Sequence, residues 1–260
     1  MGPNVERRTP NAERCSGMFF GIGVGPGEPG LIPVAAWNTL KKCHVIFVPR
    51  AKTMNHSVAL RCLPTDEIPQ DRFREIEFAM EPDRSVLSAH YKELAEIIAI
   101  ELCAGKEVAY LTLGDPSTYS TYTYTLAALQ DRIPDLRYRT FPGVPSYCAV
   151  AAAAGFALGE GKQRILVSPC PAQMSELQSM IETHDIVVLM KIGDRLPAVL
   201  ASLHQMGIAD QCVFGSHVGM ADAILCANVA EMDPENSRGY LSTLLIRGNA
   251  LEKRHLEAPQ

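Results

Sequence analysis

The chain contains no apolar run near the roughly 18 residues that a membrane span needs. It has no Cys-x-x-Cys pair and no His-x-x-x-His pair, so no metal site can be built on paired spacing. A Gly-x-x-x-x-Gly-Lys-Ser/Thr phosphate loop is missing, since Gly161-Lys162 has neither the upstream glycine nor the following hydroxyl. Gly-x-Ser-x-Gly is also absent, and no Ser/His/Asp set can be assigned. There is no charge block, no internal repeat and no low-complexity segment. The 24 Lys+Arg and 29 Asp+Glu are scattered, and the net charge of -5 argues against a general attraction to nucleic acid or an acidic membrane. The eight cysteines, at 15, 43, 62, 103, 148, 170, 212 and 226, lie mostly in apolar runs without disulfide-like spacing. They read as buried, reduced thiols of a cytoplasmic protein. Residues 1–17 are polar, lack the apolar core of a signal peptide and read as a flexible tail.

What is present is a 260-residue chain, 47% hydrophobic, in which apolar runs and helical periodicity alternate. Met18–Val24, His44–Val48, Val108–Leu113 and Tyr138–Phe141 read as strands, with Arg74–Phe78 an edge strand. Helices are expected near Pro33–Lys42, with Pro33 in the first turn, and over 57–62, 85–104 and 121–129. Gly105 should cap the third of these. This alternation indicates a mainly parallel sheet covered on both faces. Beyond residue 144, helices at 146–154, 174–182 and 196–206 alternate with strands at 165–167, 186–190 and 213–214. Strands 224–226 and 240–246 then follow without a useful helix between them. The expected fold class is therefore α/β in two α/β domains, 18–142 with a mainly parallel sheet and 143–260 with a mixed sheet.

Five loops at expected strand ends could carry chemistry. GIGVGPGEPG at 21–30 satisfies G-x-G-x-x-G through Gly25, Gly27 and Gly30, which invites a dinucleotide reading. Pro26 and Pro29 remove N–H donors that a pyrophosphate would need, and the following region, VPRAK, has no ribose-binding acid. A tight turn without a ligand is the plain alternative. Leu113-Gly114-Asp115-Pro116 stands where ligands bind in open α/β sheets, and Gly114 admits close backbone approach. Its plain alternative is an Asp-Pro turn. Phe141-Pro142-Gly143-Val144-Pro145-Ser146 opens a helix that Ser146 could cap. LMKIG at 189–193 and GSHVGMA at 215–221 complete the set.

Taken together, in this order, GIGVGPGEPGLIP, LTLGDPSTYSTY, TFPGVPS, VVLMKIG and STLLIRG resemble the successive signatures of the tetrapyrrole (corrin/porphyrin) methylases, over about residues 18–248. Within the family, LTLGDPSTYSTYTY and the VPR strand ending are most similar to members that methylate precorrin-2 or cobalt-precorrin-2 at C-20 in cobalamin synthesis. Others tend to have glycine where this chain has Ser120. The resemblance implies S-adenosylmethionine as methyl donor, no metal held by the protein, an active-site cleft between the domains and a homodimer. It implies that Pro26, Leu113, Gly114, Asp115 and Thr118 line the cofactor site. Pro145 and Ser146 match the pair after Pro-Gly, with Pro145 departing from the usual threonine. Met190 matches a methionine near the adenine and Gly219 a glycine of the same pocket. Ser120, Thr121 and Thr243 are further cofactor candidates.

A cofactor without phosphates does not need a row of N–H donors, so Pro26 and Pro29 become compatible with it. Aligning sulfur, methyl and carbon can supply about 7–11 kcal/mol. Methylation at C-20 also releases a proton, for which Asp115, Tyr119 and Tyr122 are the candidate acceptors. Arg50, Lys52 and Lys191, at strand ends, could pair with the carboxylate arms of a tetrapyrrole or be solvated surface charges. The rival readings are a related methylase of the uroporphyrinogen or diphthine type, a non-catalytic binding module and, more remotely, an NADP-dependent reductase.

Overall fold

The computed structural model describes residues 15–52, 57–78, 84–233 and 239–248. Most of the expected N-terminal tail, and the chain beyond Gly248, lie outside those residues. β1 (Met18–Gly23) and β4 (Glu107–Thr112) each bury five of six residues. Strands covered on both faces read as continuous apolar runs, and these two are inner strands of a five-stranded sheet ordered β3-β2-β4-β1-β5. Its other members are β2 (Val45–Ala51), β3 (Phe73–Phe78) and β5 (Tyr138–Phe141), and every pairing is parallel. β3 lies at an edge, as its mixed composition suggests.

The connecting helices are α1 (Val34–Leu40), α2 (Val58–Arg61), α3 (Arg84–Cys103) and α4 (Thr121–Arg132). Phe19, Val45, Phe47, Val108 and Tyr110 alternate along their strands and pack against Leu94, Ile98 and Leu102 of α3 and Leu129 of α4. Their strand neighbours Phe20, Ile46, Val48, Ala109 and Leu111 are buried on the opposite face. Each fully buried side chain of this size contributes roughly 1.5–3 kcal/mol. Gly105, at φ 77°, ends α3 in the left-handed cap expected of it, with the Lys106 amide donating to Glu101 O. Pro33 sits one residue outside α1 as its N-cap, with φ -58° and ψ 137°, so it precedes the first turn and does not lie within it.

The second sheet is mixed. Its order is β6-β7-β10-β8-β9, from β6 (Ile165–Pro169), β7 (Ile186–Met190), β8 (Cys212–Ser216), β9 (Ile224–Cys226) and β10 (Ser242–Arg247). Only β6 and β7 are parallel, because β10 returns between β7 and β8 in the opposite sense. β10 begins at Ser242 rather than at residue 240, because Leu241 has a φ of 46° and breaks the extended backbone. On one face α6 (Met174–Thr183) and α7 (Leu196–Gln205) pack Leu177, Ile181, Val199 and Leu203 against Val187, Leu189, Phe214 and Leu244. On the other, α5 (Ser146–Ala154) packs Val150 and Ala151 on Val188, Val213 and Leu245.

The fold is α/β with one parallel and one mixed sheet, as the sequence indicates. By its contacts the chain divides into two units. Unit 1 runs to Val24 and resumes over Ile32–Gly143, and unit 2 takes Gly25–Leu31 together with the chain from Val144. The Gly/Pro loop thus belongs with the C-terminal sheet, although it follows the first strand.

One cysteine expectation is corrected. Cys15 and Cys103 form a disulfide, 88 residues apart in sequence. Their meeting depends on the lead into β1 lying against the end of α3, where the Gly17 amide donates to Leu102 O. No sequence spacing encodes that. The other six cysteines are free thiols, four of them buried.

Candidate functional site

In unit 1 the chain leaves β2 towards β3 on one side of the sheet and leaves β4 towards β5 on the other. The connections diverge between β2 and β4, which is the topological switch point where open α/β sheets bind ligands. β2 and β4 stop pairing at Phe47↔Tyr110. β2 continues beside β3 to Ala51↔Phe78, and β4 beside β1 to Gly23↔Thr112. The carboxyl ends that separate here carry Arg50 on β2 with Lys52 just after it, and Leu113, Gly114 and Asp115 after β4.

That last loop is held by its own aspartate. Asp115 Oδ1 accepts from the Ser117 amide at 2.9 Å and from the Thr118 hydroxyl at 3.2 Å, while Oδ2 accepts from the Gly143 amide at 3.1 Å. One carboxylate therefore braces the loop after β4 to the loop after β5. Glycines permit the approach. A Cβ on Gly23 would lie 2.6 Å from Gly114 O and from the Gly143 amide nitrogen, and one on Gly143 would collide with the same carbonyl. Gly114 itself has a φ of 71°, in the region glycine occupies without penalty.

Beyond this loop Ser120 is the N-cap of α4, its hydroxyl accepting from the Tyr122 amide at 2.9 Å. Thr121 Oγ1 lies 2.8 Å from the Tyr110 hydroxyl. Tyr119 is exposed with a φ of 50°. Tyr122 is a core residue: its ring stacks on Phe19 over Gly21, and its hydroxyl lies 2.6 Å from Thr140 Oγ1. Burial raises its pKa. Of the three proposed proton acceptors, Tyr122 is thus placed for packing. Arg50 is engaged on its own sheet, by Glu75 at 3.1 Å and Glu77 at 2.9 Å. Lys52 is exposed.

Unit 2 gathers a second group. Ser146 does not cap α5, because the N-cap is Pro145, which has no side-chain donor or acceptor. Instead Ser146 Oγ lies 2.9 Å from Thr243 Oγ1 on β10. Thr243 is 2% exposed and registers between Met190 on β7 and Gly215 on β8. Met190, Thr243 and Ser146 therefore share one region of the mixed sheet. Lys191 follows Met190 at a φ of 54°; its side chain presents area to solvent, yet enough protein surrounds the ammonium that desolvation lowers its pKa. Pro26 is buried, and its neighbour Gly27 packs on the loop after β8, where a Cβ would lie 2.6 Å from Val218 O. Gly219, at φ 85°, meets the Glu28 amide in the same way. The loops of Pro26 and Gly219 are thus in direct contact.

Neither Gly23 nor Gly143 is among the candidate site residues of the sequence, although both stand in its strand-end motifs. A glycine at each of three neighbouring strand ends was the available signal. Among the described residues no group of three or more His, Cys, Asp and Glu is arranged to hold a metal, and no helix is long and apolar enough to cross a membrane.

Comparison with known proteins identifies the family. Residues 18–233 match the family described as Tetrapyrrole (Corrin/Porphyrin) Methylases. The cobalt-precorrin-2 C(20)-methyltransferase of Salmonella typhimurium is 29% identical over 231 residues, 89% of this chain and 96% of that protein. The precorrin-2 C(20)-methyltransferase of a Sinorhizobium species is 28% identical over 239 residues, with the same coverage of each. The solved structure of a uroporphyrin-III C-methyl transferase from Thermus thermophilus, complexed with S-adenyl homocysteine, shares the fold at a TM-score of 0.59 and 15% identity, over 91% of this chain and 99% of that one. The chain belongs to the tetrapyrrole (corrin/porphyrin) methylase family.

Proposed function

We propose that the protein transfers a methyl group from S-adenosylmethionine to C-20 of precorrin-2, with or without bound cobalt, in cobalamin biosynthesis. The observation that carries this reading is the alignment of nearly the whole chain with relatives named for C-20 methylation, one acting on the cobalt form and one on the metal-free form.

The residues fit a phosphate-free nucleoside cofactor. The Gly25–Leu31 loop has no Lys or Arg and loses two amide donors to proline. The hydroxyls of Ser146 and Thr243 are polar groups of the same unit. When bound, adenosylmethionine supplies a methyl already activated on a sulfonium. The chain's own task is to orient and to desolvate. Leu113 and Gly114 offer backbone carbonyls to a positive centre, and Asp115 with Thr118 fixes that loop. Ser120 and Thr121 start the helix behind it. Pro26, Pro145, Ser146, Met190, Gly219 and Thr243 form the cofactor surface of unit 2. Lys52 and Lys191 are the cations assigned to the substrate's carboxylate arms. Arg50 is a weaker partner, because Glu75 and Glu77 already neutralise it. The protein acts in the cytoplasm as a homodimer.

Calorimetry should give saturable adenosylmethionine binding. Incubation with each form of precorrin-2 should give a product with one added methyl, placed at C-20 by NMR. Methylation at another ring carbon, or binding of NADP in place of adenosylmethionine, would overturn the reading.

A further inference from the structure

C-methylation at a ring carbon bearing hydrogen ends with loss of a proton, and unit 2 contains a group arranged to take it. His217 follows β8 directly, in the loop whose Gly219 packs on the Pro26 loop. Its Nδ1 lies 2.9 Å from Ser216 Oγ. The same Ser216 hydroxyl donates to Tyr240 O at 3.1 Å. A carbonyl oxygen can only accept, and serine has one hydroxyl proton, so Ser216 Oγ must accept from His217 Nδ1–H. That fixes the neutral imidazole in the Nδ1–H tautomer and leaves the Nε2 lone pair as the acceptor. Nε2 has no hydrogen-bond partner among the described residues.

The backbone agrees with a held position. His217 has a φ of 50°, its amide donates to Leu241 O at 3.1 Å, and its ring lies 5.9 Å from that of Tyr240. A non-glycine residue in the left-handed region costs about 1–3 kcal/mol and persists only where its surroundings impose it. Ser216 is 3% exposed, so the orienting hydroxyl is buried at the end of β8 while the imidazole stands in the loop just beyond it.

We propose that His217 is the general base of the methyl transfer and Ser216 its positioning residue. This rests on the reading that the chain methylates a ring carbon of a tetrapyrrole. The new bond joins the methyl carbon to the ring carbon as the methyl–sulfur bond breaks, and the sulfur keeps that electron pair as the neutral thioether S-adenosylhomocysteine. The hydrogen on the ring carbon leaves as a proton to Nε2, and the electron pair of the C–H bond returns to the macrocycle. The resulting imidazolium keeps its Nδ1–H bond to Ser216 and gives its Nε2 proton to water on product release. The titratable residues on the segments packed against this loop include Tyr240, Glu28, and Tyr147 and Cys148 of α5, with Asp222 further along the loop itself.

Two measurements test the proposal. Long-range proton–nitrogen NMR of the histidine rings, with the His217 signals assigned from His217→Gln, should show protonated Nδ1 and bare Nε2 at neutral pH. A protonated Nε2 in the neutral ring would overturn it. This needs no substrate, so it stands even if wild-type protein makes no C-20 product, which would sink the functional reading instead. In single-turnover methyl transfer, His217→Gln should slow the step about 100-fold or more and abolish the acid limb of the pH–rate profile. Adenosylmethionine affinity should hold, and added imidazole should partly rescue His217→Ala. An acid limb unchanged in His217→Gln would assign the proton to another group.

Discussion

The loops of unit 1 and unit 2 that carry the candidate residues are held by different means. In unit 1, three strand ends meet through glycines too close for any Cβ, and Asp115 joins two of the loops with three accepted hydrogen bonds. In unit 2, side-chain hydroxyls take that place, and three of the four non-glycine residues at positive φ among the described residues (Lys191, His217 and Leu241) lie at strand ends of its sheet. One region is fixed by backbone contact, and the other stores local strain that the surrounding sheet has to offset. Strain of that kind concentrates at sites that must present a group in one orientation, which is the role assigned to His217.

The most disruptive change is expected where the backbone is tightest. Gly143→Ala places a methyl on Gly114 O with Gly23 Cα only 2.8 Å away, and neither neighbour is a flexible side chain. A loss of about 3 kcal/mol or more in urea unfolding is expected, with loss of adenosylmethionine binding. Gly161→Ala in unit 2 is the matched control: its φ is 56° but nothing lies within 4 Å, so only backbone strain of about 1–2 kcal/mol applies. Equal costs for the two variants would mean that the glycine cluster of unit 1 is no tighter than an ordinary turn.

Alkali should separate the units next. Burial pushes the Cys43 and Cys62 thiols and the Tyr91 hydroxyl up to about 12 and raises Tyr110 and Tyr122, all in unit 1. In unit 2 Cys148 and Cys170 are raised, but only Cys212 reaches about 12. The ordinary values are 9.0 for thiols and 10.0 for tyrosines. These groups stay neutral when folded and ionise when unfolded, so their contribution is complete below pH 9 and is lost as pH rises towards 12. Unit 1 has more to lose and should open at the lower pH. Fluorescence of Trp37, the single tryptophan, reports unit 1, and alkylation of Cys212 followed by mass spectrometry reports unit 2. Cys212 reacting before the Trp37 signal changes would reverse the order.

Much of this was legible in the sequence, and what was not has a common cause. Strands such as MFFGIG and IVVLM are apolar on both faces, and α3 carries a helical stripe, so local pattern and final burial coincide. The motifs could be placed at strand ends for the same reason. Contacts made only in three dimensions were not legible. Nothing local distinguishes Tyr122, which is packed in the core, from Tyr119, which is exposed, because both belong to the same polar, aromatic run. Ser146 has the residue type of a cap, but Pro145 occupies the cap position and Thr243, 97 residues away, takes its hydroxyl. The tautomer of His217 depends on the Tyr240 carbonyl, and the Cys15–Cys103 pair on how α3 returns beside β1. Residues that face a distant strand reveal their partner only after the sheet order is known.

The smallest expected effect tests what the hydroxyls of unit 2 do. Thr243→Val keeps the shape of a side chain that is 2% exposed and removes only its hydroxyl. Ser146 is half-buried and can turn to water, so the fold should lose no more than about 0.5–1.5 kcal/mol. If the pair also holds the cofactor, adenosylmethionine affinity should fall by roughly 2- to 12-fold, the equivalent of that energy. Ser146→Ala should do the same. The double variant should lose less than the sum, because the two hydroxyls act as one unit. Calorimetry on the four proteins gives the coupling directly. A pair that matters only to the sheet would lower the melting temperature in each variant and leave affinity unchanged. The hydroxyls would then serve the same structural end in unit 2 that glycine packing serves in unit 1.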